Sequence, residues 1–171
     1  MEFGMWQILW LACGVATIVA SALATRGRLW LYVGRVSVGV LFLVGGVLLH
    51  VVNLAKGADY SGFADPAHFA WVTDAWEAVV PPNPVLWIGL LVVFEAAVGV
   101  LVLSGGRRTQ LGYAAALAFY LALTLFGGIE LTWFVVMLAP MLLLLRAERR
   151  AATPPPAVTK VEEKPLAGVG S

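Results

Sequence analysis

The sequence predicts an all-α integral membrane protein, a four-helix transmembrane bundle with one additional N-terminal transmembrane helix. Three observations carry this. Hydrophobic residues make up 61% of the 171 and charged residues only 12%, where a soluble domain carries about 25% charged residues. The mean hydropathy is +0.90, too apolar for a water-facing globule of this size. The apolar residues are gathered into five runs, 5–24, 29–54, 84–103, 111–127 and 131–145, each near the roughly 20 residues that cross a bilayer.

The first run ends at Ala22-Leu23-Ala24, which has the small-residue pattern of a signal-peptide cleavage site. A signal peptide begins with a basic segment. This chain begins Met-Glu-Phe-Gly, and Arg26 and Arg28 follow the apolar stretch. A retained helix is therefore expected, with Cys13 as a small buried apolar residue. The second run carries Arg35, Gly39, Phe42, Gly46, His50 and Asn53 at intervals of three and four, which places them on one helix face. The connecting segment 55–83 contains Asp65-Pro66, an N-cap pattern. Phe69, Val72, Trp76 and Val79 follow at helical spacing, as in a short amphipathic helix on the membrane surface. Pro81-Pro82-Asn83-Pro84 ends it and starts the third run. The fourth and fifth runs are short and read as a tight hairpin, with Gly127-Gly128 ending the fourth helix. The tail 151–171 is Pro-rich and polar, the composition of a disordered segment.

Charge orients the chain. With five spans, Arg26 and Arg28, Arg107 and Arg108, and Arg146, Arg149 and Arg150 fall on one side, against an outer loop with Asp59, Asp65, Asp74 and Glu77. The positive-inside rule then puts the N-terminus outside and the C-terminus in the cytoplasm. The single cysteine excludes an internal disulfide, a CxxC pair and a multi-cysteine metal or iron–sulfur site. His50 and His68 alone do not support a bis-histidine haem, since His68 lies outside the apolar runs. No basic face is interleaved with aromatics, so nucleic acid is not a partner, and no metal site is expected. Ser37, Ser104 and Thr124 have no neighbouring base, and the glycine pairs lack a phosphate-loop context. The tryptophans cluster near span ends as an aromatic belt.

The candidate site residues are the intramembrane polar groups Arg35, Glu95, His50, Asn53, Tyr120 and Glu130. Ionisable residues in a span are costly and usually face a partner or a pathway. Counted from the cytoplasmic ends of their apolar runs, Arg35 and Glu95 lie about 9 and 12 Å deep at 1.5 Å per residue, so an Arg35–Glu95 pair is expected. The alternative for Arg35 is snorkelling to the headgroups. His50 either shares an outer polar pocket with Asn53, Glu130 and Thr132, where it can carry protons, or hydrogen-bonds locally.

Four features resemble a known family: Arg35-Val-Ser-Val-Gly-Val-Leu-Phe-Leu-Val-Gly-Gly46; the loop with Phe63-Ala-Asp-Pro66 and Phe69; Leu91-Val-Val-Phe-Glu95-Ala-Ala-Val-Gly99; and the closing pair of short apolar helices. From Arg35 to about Arg149 the chain resembles the DoxX family of small bacterial four-helix membrane proteins. The resemblance implies a DoxX-like domain at 29–150 and residence in the bacterial cytoplasmic membrane, and the additional helix at 1–28 is a departure from the family. The family often has a Lys near the outer end of its first core helix, where this chain has Leu49-His50. Its relatives include a membrane subunit of a thiosulfate:quinone oxidoreductase and components of thiol-linked redox complexes. The implied role is a redox-associated subunit, not catalytic alone, that docks a soluble redox protein or another membrane subunit. The cofactor-level expectation is a quinone in an apolar pocket, and no catalytic residue is assigned. Two alternatives stand beside it: a bundle for small-molecule binding or proton-coupled transport through Glu95 and Arg35, and a structural subunit of a larger membrane complex.

Overall fold

The structure, a computed structural model, describes residues 4–152. The expectation for the tail falls almost entirely outside that range. No strand occurs among the described residues. Helix α1 spans Met5–Leu23, and a 3-10 turn at Ala24–Arg26 leads through Gly27 into α2, Arg28–Phe42. A π turn over Leu43–Leu48 joins α2 to α3, Leu49–Ala55, so the three form one rod. Helices α4 (Ala70–Val79), α5 (Pro84–Leu103), α6 (Gly106–Leu123) and α7 (Gly128–Ala152) complete the chain.

Five rods form a closed ring. Helix α1 packs on α2, α2 on α5, α5 on α6, α6 on α7, and α7 back on α1. Helix α1 thus fills the gap between α2 and α7, which touch each other only lightly. Val38, Phe42, Val98, Val102, Tyr113, Ala116, Met137, Met141 and Leu144 fill the middle. The outside is apolar as well: Ile8 and Val15 on α1, Val93 and Val100 on α5, and Val135 and Leu143 on α7 are exposed. A ring dry on both sides has hydrocarbon as its solvent. Four helical stretches, Met5–Arg26, Arg28–Ala55, Pro84–Leu103 and Gly128–Ala152, are long and apolar enough to cross a membrane.

The turns have local causes. Asn83 caps α5 by accepting from Leu86 N–H at 3.3 Å, with Pro84 as the first helical residue. At the α5–α6 turn the Thr109 hydroxyl donates to Val102 O and accepts from Gly105 N–H, both at 2.8 Å. Gly105 has φ 85° there, a conformation other residues reach only with strain. The π turn lies at Gly45-Gly46, poor helix formers, and Trp10 Nε1 donates to Gly45 O at 3.3 Å.

Several boundaries differ from the sequence expectation. Helix α6 starts five residues before its apolar run and ends at Leu123, so Gly127-Gly128 lead into α7 rather than ending α6. Arg107 and Arg108 extend a helix whose heads reach water. Helix α7 is 25 residues long, because Arg146–Ala152 continue the rod. Helix α4 begins after Phe69 and not at Asp65-Pro66. The intervening segment is held in turns, and His68 N–H donates to Leu125 O at the α6–α7 connection. Of the tryptophans, Trp10 and Trp133 pack on each other at 6.1 Å between ring centroids and serve the α1–α7 contact, beyond any belt.

Candidate functional site

Two buried charge centres lie at different levels of the ring. The inner one joins α2 to α7. Arg35 donates from Nε to Glu148 Oε1 and from Nη2 to Glu148 Oε2, both at 2.6 Å. The Glu148 side chain is 2% exposed and that of Arg35 23%. This overturns the expected Arg35–Glu95 pair, and snorkelling alone does not describe Arg35 either. The reason is the register of α2 against α5. A side chain added at Gly39 would meet Leu103, one at Gly99 would meet Leu43, and one at Gly46 would meet the Glu95 carboxylate. Glu95 therefore stands level with Gly46, eleven residues from Arg35, or about 16 Å along the axis. The expectation took the inner ends of α2 and α5 as flush. In fact α5 stops near the level of Gly39, and the first turns of α2 project beyond it.

The outer centre is built on Glu95, which is 4% exposed. Its carboxylate lies against the π turn, where a Cβ at Gly46 would come within 2.5–2.7 Å of it. Only glycine allows that approach. Glu95 Oε2 stands 3.8 Å from His50 Nε2, and no group among the described residues hydrogen-bonds it. That separation is beyond a hydrogen bond. The far side of the imidazole meets the outer loop: His50 Nδ1 is 3.0 Å from the Tyr60 hydroxyl. The Asn53 side chain also hydrogen-bonds that hydroxyl. Burial holds the Tyr60 phenol above its ordinary range, opposed by the Asn53 bond, so it is a neutral donor and acceptor at pH 7.

Tyr60 is held firmly. It has φ 64°, the one positive φ outside glycine among the described residues, a conformation costly for a bulky residue. Trp76 Nε1 of α4 donates to its carbonyl at 2.9 Å, and Glu77 accepts from Gly62 N–H at 2.9 Å. Below Glu95, Tyr120 of α6 lies within electrostatic reach of its carboxyl and hydrogen-bonds Trp133. Phe42 stacks on Tyr120 at 5.6 Å.

Of the six candidates, Glu95, His50, Asn53 and Tyr120 gather at the outer centre and Arg35 belongs to the inner one. Glu130 belongs to neither: its Oε2 is buried beside Gly127 and Pro66. Thr132 donates to Gly128 O in its own helix. Of the two readings of His50, the pocket shared with Glu130 and Thr132 does not form, and the imidazole hydrogen-bonds Tyr60, ten residues on. Two residues were missed. Glu148 follows Met141, Leu144 and Leu145 at helical spacing, which puts it on the buried face of α7, although its basic neighbours make it read as surface. Tyr60 sits in an irregular loop, where no periodicity marks it. Among the described residues no cluster of His, Cys, Asp or Glu could hold a metal ion.

A carboxyl facing an imidazole can hold one proton on either partner at the same net charge, as a neutral pair when the carboxyl keeps it and as an ion pair when the imidazole takes it. Tyr60, hydrogen-bonded to the second ring nitrogen, links the imidazole to the outer loop. The fold and this polar core define a multi-pass all-α membrane protein with a buried acid–imidazole pair. Neither a family model nor a curated protein nor a solved structure matches the chain.

Proposed function

We propose that the chain is a DoxX-like membrane subunit serving quinone- or thiol-linked redox chemistry and docking redox partners, with Glu95 and His50 as its proton-handling pair. The reading carries with it five spans, α6 included, an N-terminus outside the bacterial cytoplasmic membrane, and a C-terminus inside. The segregation of the described arginines at one end and of Asp59, Asp65, Asp74 and Glu77 at the other supports that orientation. One observation carries the functional part. Glu95, buried in the ring, stands 3.8 Å from His50, which Tyr60 links to the outer loop. Reduction of a quinone to a quinol consumes two electrons and two protons. The electrons come from the redox partner; Tyr60, His50 and Glu95 supply protons from the outer face to a substrate at mid-membrane depth.

The test is purification of the full chain from native membrane, with mass spectrometry of co-purifying lipids and proteins. A quinone and a redox subunit should accompany it, and Glu95→Gln should slow quinone reduction by the complex while leaving it assembled. A protein that carries neither, or a complex indifferent to Glu95→Gln, refutes the reading. The same Tyr60–His50–Glu95 line favours a second reading, proton-coupled binding or transport of a small molecule. Uptake into vesicles driven by a pH gradient, and lost in Glu95→Gln, would establish it instead.

A further inference from the structure

The inner ends of α2, α6 and α7 enclose a half-open cavity of about 360 Å³, lined by Arg28, Leu31, Tyr32, Arg35, Gly106, Glu148, Ala151 and Ala152. We infer that this cavity binds the phosphate headgroup of an anionic phospholipid of the inner leaflet. Two guanidiniums face it against one carboxylate, and that carboxylate is spent on Nε and Nη2 of Arg35. Nη1 of Arg35 carries no hydrogen bond among the described residues and lies beside Gly105. Arg28 has no ion-pair partner among them either. A phosphate diester supplies the acceptors these donors lack, in charge-assisted hydrogen bonds. Helix α6 adds to the positive field: it starts at the cavity with no side-chain cap and no acidic residue in its first turn, which holds Arg107 and Arg108 instead.

Level and size point to a lipid rather than a free anion. Because α5 ends near the level of Gly39, Arg28 and Arg35 project past it toward the end of the ring where the arginines gather. Basic pockets between helices at that depth suit anionic headgroups. Leu29 and Tyr32, one turn apart on α2, are 66% and 63% exposed, an apolar edge for an acyl chain with a tyrosine at headgroup height. The volume is at the low end for organic ligands, enough for a headgroup with its chains outside. The site stands whichever functional reading holds, and its assignment to the inner leaflet rests on the proposed orientation.

The test uses the full chain in neutral detergent, with native mass spectrometry against short-chain phosphatidylglycerol, phosphatidylcholine and inorganic phosphate. Phosphatidylglycerol should bind at one tight site and the zwitterionic lipid should not. Arg28→Gln should weaken it about tenfold, as for loss of one charge-assisted hydrogen bond. Arg146→Gln, an equal loss of charge elsewhere on α7, should change it less than about twofold. Ala152→Phe, which fills the cavity without removing charge, should weaken binding like Arg28→Gln and covers the case in which that variant misfolds, as judged by its thermal transition. Equal binding of the two lipids overturns the inference, as does equal weakening by Arg28→Gln and Arg146→Gln. Displacement by inorganic phosphate at the lipid's own affinity would assign the site to a soluble anion and overturn the lipid.

Discussion

Replacing Arg35 should cost more than replacing Glu148, and the coupling should run to Glu148 rather than to Glu95. Two unit charges about 4 Å apart attract by about 4 kcal/mol at an effective dielectric constant of about 20. Breaking a buried pair typically costs about 3–5 kcal/mol, mostly by stranding the remaining charge. Here the partners are unequal. Glu148 is 2% exposed and Arg35 23%, beside an open cavity. Arg35→Ala strands the drier partner and should cost about 3 kcal/mol, while Glu148→Gln leaves a guanidinium that reaches water and should cost about 2 kcal/mol. Unfolding by sodium dodecyl sulfate in mixed micelles, followed by tryptophan fluorescence, gives the cycle. The Arg35–Glu148 coupling should be about 1.5 kcal/mol or more, and the Arg35–Glu95 coupling within about 0.5 kcal/mol of zero, as for residues without contact. A larger coupling to Glu95 would refute the α2–α5 register, and with it the separation of the two centres.

Three further outcomes follow from the same geometry. A Cβ at Gly112 would lie 2.6 Å from the Val102 backbone nitrogen, whereas one at Gly39 meets only the movable Leu103 side chain and one at Gly89 meets nothing within 4 Å. Gly112→Ala should therefore lower thermal stability by about 2–3 kcal/mol and Gly39→Ala by less, while Gly89→Ala should be neutral or raise it by about 0.5 kcal/mol. In a Cys13→Ala background, cysteines at positions 65 and 107 should label from opposite sides of the membrane; labelling from one side would remove the five-span orientation. Hydrogen bonds from the Ser61 backbone N–H and hydroxyl hold the Asp59 carboxyl below its ordinary value. A depressed acid contributes order that is complete above the ordinary aspartate value of 3.8 and is lost as pH falls through the lower folded value. Amide exchange at Ser61 should therefore lose protection only in that acid window, and loss near pH 6 would contradict the assignment.

The apolar helices were legible because hydrocarbon selects for long apolar runs: four stretches are long and apolar enough to cross a membrane, and α6 covers the fourth run as far as Leu123. The helix ends were less legible. Arg107 and Arg146–Arg150 are polar in sequence yet helical in the fold, since a long basic side chain can leave the membrane while its backbone stays in the rod. Placing Gly46 and His50 on one face of the second run was legible from helical spacing. Depth was not. A helix-by-helix count from the edge of each apolar run assumes level ends, and the projection of α2 past α5 moved Arg35 away from Glu95 by eleven residues. Tyr60 could not be found, because a loop residue is aimed by tertiary bonds from Trp76 and His50 that leave no period in the chain.

A ring of five rods running alternately up and down cannot alternate all the way round, because five is odd. One neighbouring pair must run in the same direction, and here it is α1 and α7. That seam joins the first described rod to the last described one, and is drawn together where Trp133 fills the space over Gly14 and rests on Trp10. Without α7, α1 would have a neighbour on the α2 flank only. The circle is thus completed by α7, which packs on both α6 and α1. Met5 of α1 and Ala152 of α7, although carried by touching helices, therefore lie at opposite ends of the ring.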